Sequence, residues 1–392
     1  MTDVSTALGT DFVGLSAEFG EEERDYLART RAFVEADVLP VIADYWERAE
    51  FPLHLAKQLG ALGLLGDGID YPGVPKMSAT SAGLVAMELS RGDGSLGTFA
   101  GVQAGLAMRS IYHFGTEEQK QRWLPDLARC EAIGAFALTE PEHGSDSLLL
   151  ETTAVRDGDA FVLNGAKRWI GNATIADVVV VWARGEDGEV GGYLVEKGTP
   201  GYAATVITGK GSVRAVWQAD IVLTDLRIPV EAKLPGARTF KDTGKVLAGT
   251  RSQVAFSALG HAVAAYDAAL TYTSERRQFG KRLVEFQLVQ ARLVGMLQEI
   301  VGMQLYCMRL AQLTERGEPT KLVASLAKLN NTSKARQICL QARDLLGGNG
   351  ILLENHVMRH LADIEAIHTY EGTETIQTLL VGRSITGVGA FS

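Results

Sequence analysis

Apolar residues recur in this chain with the period of a helix, then of a strand, then of a helix again, and that order limits the fold more than any other feature. From Phe19 to about Ala128 the spacing is three and four, as in Tyr26, Leu27, Thr30, Phe33 and Val34, and again in Leu84, Val85, Met87 and Leu89. Thr116-Glu117-Glu118-Gln119 reads as a capping box opening a helix that carries Trp123 and Leu127. Glycines and prolines make Gly66 to Pro75 a loop. Beyond about residue 150 the period becomes two, and Asp157-Gly158, Asn164-Gly165 and Asp187-Gly188 predict hairpin turns. Strands are expected over Glu151 to Val155, Ala160 to Leu163, Val178 to Ala183, Gly191 to Glu196 and Val216 to Leu223, with the β region ending near Pro229. From Lys245 onward Pro is almost absent, and Leu288, Ala291, Val294, Leu297, Val301 and Leu305 trace one helical face.

Helices, then strands, then helices indicate a segregated α+β fold rather than alternating βαβ units. At 392 residues the chain is long enough for two or three domains with cores of their own. A net charge of −9 provides no basic field for a phosphate backbone, which argues against nucleic acid as a partner. Cys130, Cys307 and Cys339 lie far apart without CxxC spacing, so neither a disulfide framework nor a zinc site is expected. The longest apolar run, Val178 to Ala183, is a buried strand rather than a membrane span. Residues 1 to 30 are acidic and lack the features of a secretory or transit leader. Ala390-Phe391-Ser392 is not a peroxisomal address, so a cytoplasmic location is expected.

No GxGxxG follows a strand and no GxxxxGK[ST] occurs, so a nucleotide cofactor needs another kind of site. Four segments have the composition for one. FALTEPEHGSD, Phe136 to Asp146, is dense in hydroxyls and carboxylates at the helical-to-β junction; it reads as a ligand cleft or as a polar linker with helix-capping residues. Trp169-Ile170-Gly171-Asn172 could lie against a flat ring, or could be a core Trp beside a turn. Arg276-Arg277-Gln278-Phe279-Gly280, with Gln287 after it, could grip pyrophosphate and cover an adenine, or form a solvated basic corner. Gly347-Gly348-Asn349-Gly350 could admit phosphates or end a helix.

A fifth segment, His368 to Thr375, sets Glu371 beside Gly372 in a polar island between apolar stretches. A base that removes a carbon-bound proton needs a carboxylate in a water-poor site, whereas an exposed Glu near a helix start is the plainer alternative. His356 and His360 have i, i+4 spacing but no HExxH, which is weak support for a metal, and none is expected.

In this order FALTEPEHGSD, WIGN, RRQFG, LLGGNG and YEGT resemble the acyl-CoA dehydrogenase family over essentially the whole chain. The stretch from Ala342 to Phe391, with ARDLLGGNGI and GRSITGVGAF, most resembles the glutaryl-CoA dehydrogenase subgroup. The resemblance implies an N-terminal helical domain (1–135), a middle β domain (136–243) and a C-terminal four-helix bundle (244–392), assembled as a homotetramer. It implies FAD as cofactor, an acyl-CoA substrate, and electron-transferring flavoprotein as the electron acceptor.

By the same resemblance, Phe136, Leu138, Thr139, Gly144, Ser145, Trp169, Ile170, Gly171 and Thr373 contact the flavin or its pyrophosphate, and Ser145 also reaches CoA. Arg276, Gln278, Phe279, Gln287, Asp344, Leu345, Gly347 and Gly348 match positions that hold the adenosine diphosphate half across a subunit interface. Gly97, Thr98, Val246, Leu247, Thr250, Arg251, Tyr370, Glu371 and Gly372 match positions lining the substrate. Glu371 matches the base that takes the α-proton while the β-hydrogen leaves as hydride to the flavin, and its backbone N–H would share an oxyanion hole with a ribityl hydroxyl. Arg251 would lie near that base and polarise it.

Two positions depart from the pattern. Gly97 stands where glutaryl-CoA dehydrogenases carry the Arg that pairs with the distal carboxylate, so a short neutral acyl chain is expected. Gly171 replaces the usual Thr or Ser near the flavin, as in plant short-chain acyl-CoA oxidases, which also resemble FKDTGKVLAGTR, Phe240 to Arg251. An oxidase, a glutaryl-CoA dehydrogenase and a catalytically silent scaffold of the same fold are the alternatives.

Overall fold

Three acidic residues, Glu21 to Glu23, open the first helix, α1 (Glu21–Phe33), where negative charge complements the helix dipole. Tyr26, Thr30, Phe33 and the following Val34 are buried at the spacing the sequence shows. The computed structural model describes residues 10–390; residues 1–9 and Phe391–Ser392, on which parts of the leader and C-terminal readings fall, lie outside the described residues. α2 (Leu39–Arg48), α3 (Leu53–Ala61), α4 (Ala79–Gly92), α5 (Gly94–Ala100), α6 (Arg109–Phe114) and α7 (Glu117–Ala128) continue the helical region, with a π-helical stretch at Gly101–Met108. The capping box forms as expected. Gln119 N–H donates to Thr116 Oγ1 at 3.2 Å, and Thr116 N–H to Gln119 Oε1 at 2.9 Å.

A seven-stranded sheet follows, from β1 (Gly134–Ala137), β2 (Thr153–Asp157), β3 (Ala160–Gly171), β4 (Val178–Gly185), β5 (Val190–Glu196), β6 (Tyr202–Val206) and β7 (Gln218–Pro229). The order is β1-β4-β2-β3-β7-β6, with β5 paired to β4. β4 is parallel to β1 and buried along Val178 to Ala183, so its apolar residues run without alternation.

The Asn164-Gly165 turn does not form. β3 runs through it, and the ladder to β7 slips between Leu163 and Gly165. Asn164 Oδ1 accepts from Asp225 N–H at 2.8 Å, and a Cβ at Gly165 would overlap Thr152, so this pair makes a bulge rather than a hairpin. β7 starts and ends later than the expected Val216 to Leu223, and the edge strand β6 was not expected; its half-exposed residues give a weak signal.

The last region holds α8 (Phe240–Glu275), a ribbon of β8 (Arg277–Gln278) and β9 (Lys281–Arg282), α9 (Gln287–Glu315), α10 (Lys321–Leu345), α11 (Val357–Thr369) and α12 (Glu374–Thr386). α8 crosses α4 closely because Gly83 meets the Phe256 ring and Gly260 meets the Met87 carbonyl; a Cβ at either would overlap its neighbour. The α9 face that the spacing traces is largely turned outward. Leu288, Val294 and Leu305 are 82%, 64% and 51% exposed, and the core side is formed by Leu293, Met296, Ile300, Met303, Cys307 and Leu310. α9 is apolar on two sides, so periodicity cannot tell which one this chain covers.

Buried polar groups tie the three regions together. Asp363 on α11 accepts from Trp46 Nε1 at 2.8 Å and from Val213 N–H at 2.7 Å. Arg359 pairs with Asp93, which also caps α5 by accepting from Ser95 N–H at 2.8 Å.

Candidate active site

The turn between α11 and α12 carries the acidic island. Glu371 has φ 56° and Gly372 φ 86°, two consecutive left-handed residues, which for the Glu costs roughly 1–2 kcal/mol. Buried side chains hold this turn. Gln377 Nε2 donates to the carbonyls of Glu371 at 2.9 Å and Gly372 at 3.1 Å. Lys328 Nζ donates to the Gly372 carbonyl at 2.6 Å and to that of His368 at 3.2 Å. Thr373 caps α12 by accepting from Ile376 N–H at 3.3 Å. The Glu371 N–H donates to no group among the described residues.

Thr250 Oγ1 on α8 donates to Glu371 Oε2 at 2.6 Å. Burial raises the Glu371 pKa above its ordinary value, while the Thr250 hydroxyl and the Arg251 and Lys328 cations work against that rise. Burial also lowers Lys328 to about 8. Arg251 is buried beside the base but makes no hydrogen bond to it; its Nε and Nη1 are unpartnered, so it acts on Glu371 through its field. The pKa of the tyrosine before the base, Tyr370, is raised by burial.

Glu371 opens onto a cavity of about 760 Å³ between the helices and the sheet. On its sheet side lie Phe136, Leu138, Thr139, Gly144, Ser145, Trp169, Ile170 and Gly171; on its helical side Gly97, Thr98, Leu247, Thr250, Arg251, Tyr370, Gly372 and Thr373. Trp169 has φ 65°, at a second slip of the β3–β7 ladder between Lys167 and Ile170. That bulge leaves the indole 50% exposed within a strand, with the Arg168 guanidinium 4.9 Å from its ring.

The segment from Thr139 to Ser145 is anchored by a buried ion pair. Lys167 Nζ lies 2.8 Å from Glu140 Oε1 and 3.0 Å from the Leu138 carbonyl, and Glu140 also accepts from the N–H groups of Glu151 and Thr152 at 2.6 and 2.9 Å. For Glu140, burial alone would raise the pKa; the Lys167 charge and these donors outweigh it, and the carboxyl sits below its ordinary value. Lys167 is lowered by burial to about 8.

Val246 does not line the cavity. Its side chain is fully buried in the core shared by the helical region and the sheet, about 100° round α8 from Leu247. Nor does this chain bring Arg276, Gln278, Phe279, Gln287, Asp344, Leu345, Gly347 or Gly348 to the cavity. They lie at the C-terminal end of α8, on the β8–β9 ribbon, where Phe279 is 92% exposed, at the start of α9, and at the end of α10 and its following turn. His360 Nδ1 meets His261 Nδ1 at 2.9 Å, and among the described residues no group could hold a metal ion.

Sequence reasoning missed Lys328 and Gln377, which hold the Glu371 turn, and Lys210, whose Nζ donates to the carbonyls of Val213 and Val216 and to Gln218 Oε1 in the cavity wall. It also missed Asp67 and Gln253 on the helical side. A Lys or Gln inside an amphipathic helix carries no local mark of burial. An exposed indole and two hydroxyls, from Thr139 and Ser145, on the sheet side, with a buried carboxylate on the helical side, fit a flat heteroaromatic ring and a small chain between them.

Comparison with known proteins gives three family matches. Residues 20–131 match the model "Acyl-CoA dehydrogenase, N-terminal domain", residues 135–226 the corresponding middle domain and residues 240–386 the C-terminal domain. The human mitochondrial short-chain specific acyl-CoA dehydrogenase is 35% identical over 382 residues, covering 93% of this chain and 90% of that protein. A crystal structure of glutaryl-CoA dehydrogenase from Mycobacterium smegmatis superposes with TM-score 0.96 at 41% identity, over 98% of this chain and 99% of that one. A second, of a glutaryl-CoA dehydrogenase from the same organism in complex with FADH2, has TM-score 0.96 at 39% identity over the same shares.

Proposed function

This chain belongs to the acyl-CoA dehydrogenase family, and from that premise we propose that it is an FAD enzyme that desaturates a short, neutral acyl-CoA thioester between Cα and Cβ. The product is the trans-2-enoyl-CoA, and electron-transferring flavoprotein takes the electrons. Bound FAD supplies the two-electron acceptor for the hydrogen that leaves Cβ.

The observation that carries this reading is Glu371: a carboxylate whose pKa burial raises, hydrogen-bonded by Thr250 and lining the same cavity as Trp169. Glu371 takes the α-proton. Its unpartnered backbone N–H is available to the thioester oxygen as negative charge develops there. The consecutive left-handed residues at 371 and 372 free that N–H, since an added helical turn would have used it. Arg251 and Lys328 favour the ionised form of the base and so oppose the pull of burial.

Thr139, Ser145, Trp169 and Thr373 would hold the flavin and its pyrophosphate. Arg276, Gln278, Phe279, Gln287 and the Leu345–Gly348 turn would hold the adenosine diphosphate half bound to a second copy, in a homotetramer. Their distance from this chain's own cavity and the exposed apolar face of α9 both support that arrangement. The short-chain relative supports the chain length. Against a glutaryl substrate stands Gly97, which supplies no cation to pair with a distal carboxylate.

The test is anaerobic mixing of the yellow holoenzyme with butyryl-CoA. Bleaching is expected in the wild type and lost in Glu371→Gln with FAD still bound; a variant that bleaches at the wild-type rate removes Glu371 as the base. Hydrogen peroxide formed in air without an added acceptor would replace the flavoprotein partner with O2.

A further inference from the structure

The helical side of the cavity extends into a lobe between α4, α8 and the loop before α4, walled by Leu64, Val85, Leu89 and Val254. Within these apolar walls stand Asp67 and Gln253, with the Ser257 hydroxyl one turn further along α8. Gln253 follows Thr250 by three residues, roughly 4.5 Å along the helix, so this polar group lies one turn from the residue that holds the base. An acyl chain whose Cα sits at Glu371 can run into this lobe.

Asp67 is buried and already neutralised. Its Oδ2 accepts from Arg109 Nε at 3.0 Å and Nη2 at 2.7 Å, and its Oδ1 accepts from Gln253 Nε2. With its amide nitrogen turned to Asp67, Gln253 presents Oε1, which accepts nothing from the described residues. Gly105 makes room for that oxygen, since a Cβ there would overlap it. The lobe therefore offers acceptors, a carboxylate and an amide oxygen, while the guanidinium behind them is already engaged.

No cation of the described residues stands beside Asp67 and Gln253 except Arg109, which Asp67 already holds. Among the described residues the cations lining the cavity are Lys210, whose ammonium makes three hydrogen bonds, and Arg251, beside Glu371 at the reacting end. A terminal carboxylate in the lobe would find no charged donor free for it, because the Arg109 guanidinium is committed to Asp67 and the Asp67 and Gln253 oxygens are acceptors. A methyl end would leave the Gln253 oxygen desolvated and unpaired, whereas a hydroxyl would satisfy it.

We propose that this lobe selects an acyl chain that ends in a neutral hydrogen-bond donor, a terminal hydroxyl in the simplest case, over a plain alkyl chain, and that it excludes a terminal carboxylate. The assignment rests on the acyl-CoA dehydrogenase reading above and deepens it by naming the substrate class.

The test compares 5-hydroxypentanoyl-CoA, pentanoyl-CoA and glutaryl-CoA, matched in chain length, by anaerobic flavin reduction and by kcat/KM with an artificial acceptor, with butyryl-CoA as reference. In the wild type the hydroxy substrate is expected to exceed pentanoyl-CoA by about tenfold or more, and glutaryl-CoA to be the poorest. In Gln253→Leu the hydroxy-to-plain ratio should fall by about tenfold. Asp67→Asn, which leaves the Arg109 guanidinium without its counter-charge, should raise glutaryl-CoA relative to pentanoyl-CoA. A wild-type ratio at or below one overturns the proposal, as does a ratio that Gln253→Leu leaves unmoved, while bleaching by butyryl-CoA keeps the dehydrogenase reading intact. If butyryl-CoA and all three probes fail to reduce the flavin, that reading falls and this one with it.

Discussion

The Thr250 hydroxyl on α8 and the Glu371 carboxylate beyond α11 meet at 2.6 Å across 121 residues of chain. The contact orients the carboxylate toward the cavity and opposes the effect of burial on its protonation. It also places the base relative to α8, the helix that forms the floor of the acyl lobe.

Replacing Thr250 by Val removes the donor that favours the ionised carboxylate. The Glu371 pKa, already raised by burial, rises further. Because the ionised form is the base, the acid limb of the pH–rate profile for flavin reduction should move to higher pH, and Thr250→Ser should move it back. An unshifted limb in Thr250→Val would show that the hydroxyl does not govern the base.

Lys328 donates to two carbonyls that fix the left-handed turn at Glu371. Lys328→Met leaves the His368 carbonyl unpaired and that of Gly372 with Gln377 alone, which loosens the carboxylate, and a displacement of about 1 Å in a reacting group costs on the order of 100-fold in rate. The expected signature is a fall in kcat with KM little changed, partly recovered by Lys328→Arg. Equal loss in KM and kcat would point to a general structural defect instead.

Lys167 and Glu140 anchor the segment that carries Thr139 and Ser145, and both side chains are buried. Lys167→Met strands the Glu140 charge and should destabilise the protein by about 3–5 kcal/mol, whereas Lys167→Met with Glu140→Gln should recover much of the loss. Urea unfolding midpoints of the two variants measure this, and a double variant no better than the single one would contradict it. FAD retention should follow the same order.

Val294 and Leu305 are 64% and 51% exposed on the outer face of α9. Val294→Glu with Leu305→Glu leaves this chain's own core untouched, so it should fold, sediment as a smaller species than the wild type and lose FAD on dilution. An unchanged sedimentation coefficient would mean that this face is not an interface between copies.

Local chemistry made much of the architecture legible. The change of period announced helices, sheet and helices; the Thr116 capping box and the spacing in α1 formed where the residues place them, because both depend on neighbours within one turn. Asn164-Gly165 misled for the complementary reason. Its turn preference is local, but Asp225 and Thr152, distant in sequence, turned it into a bulge inside β3. The strand position of Trp169 was hidden too, since a bulge that exposes an indole needs the register of β7.

The residues of the YEGT and FALTEPEHGSD segments, with their chemistry and family likeness, were written in the chain and needed no coordinates. Which groups meet them was decided by helix crossings: α8 brings Thr250 to Glu371, α10 brings Lys328 beneath it, and the loop before α4 sets Asp67 against Gln253. Burial then sets the charge state of each group. A residue's own identity carries its donors and acceptors, but the partner that satisfies them and the dielectric around them come from chain segments far away, so periodicity could name the helices while only packing could say which of their faces build the cavity.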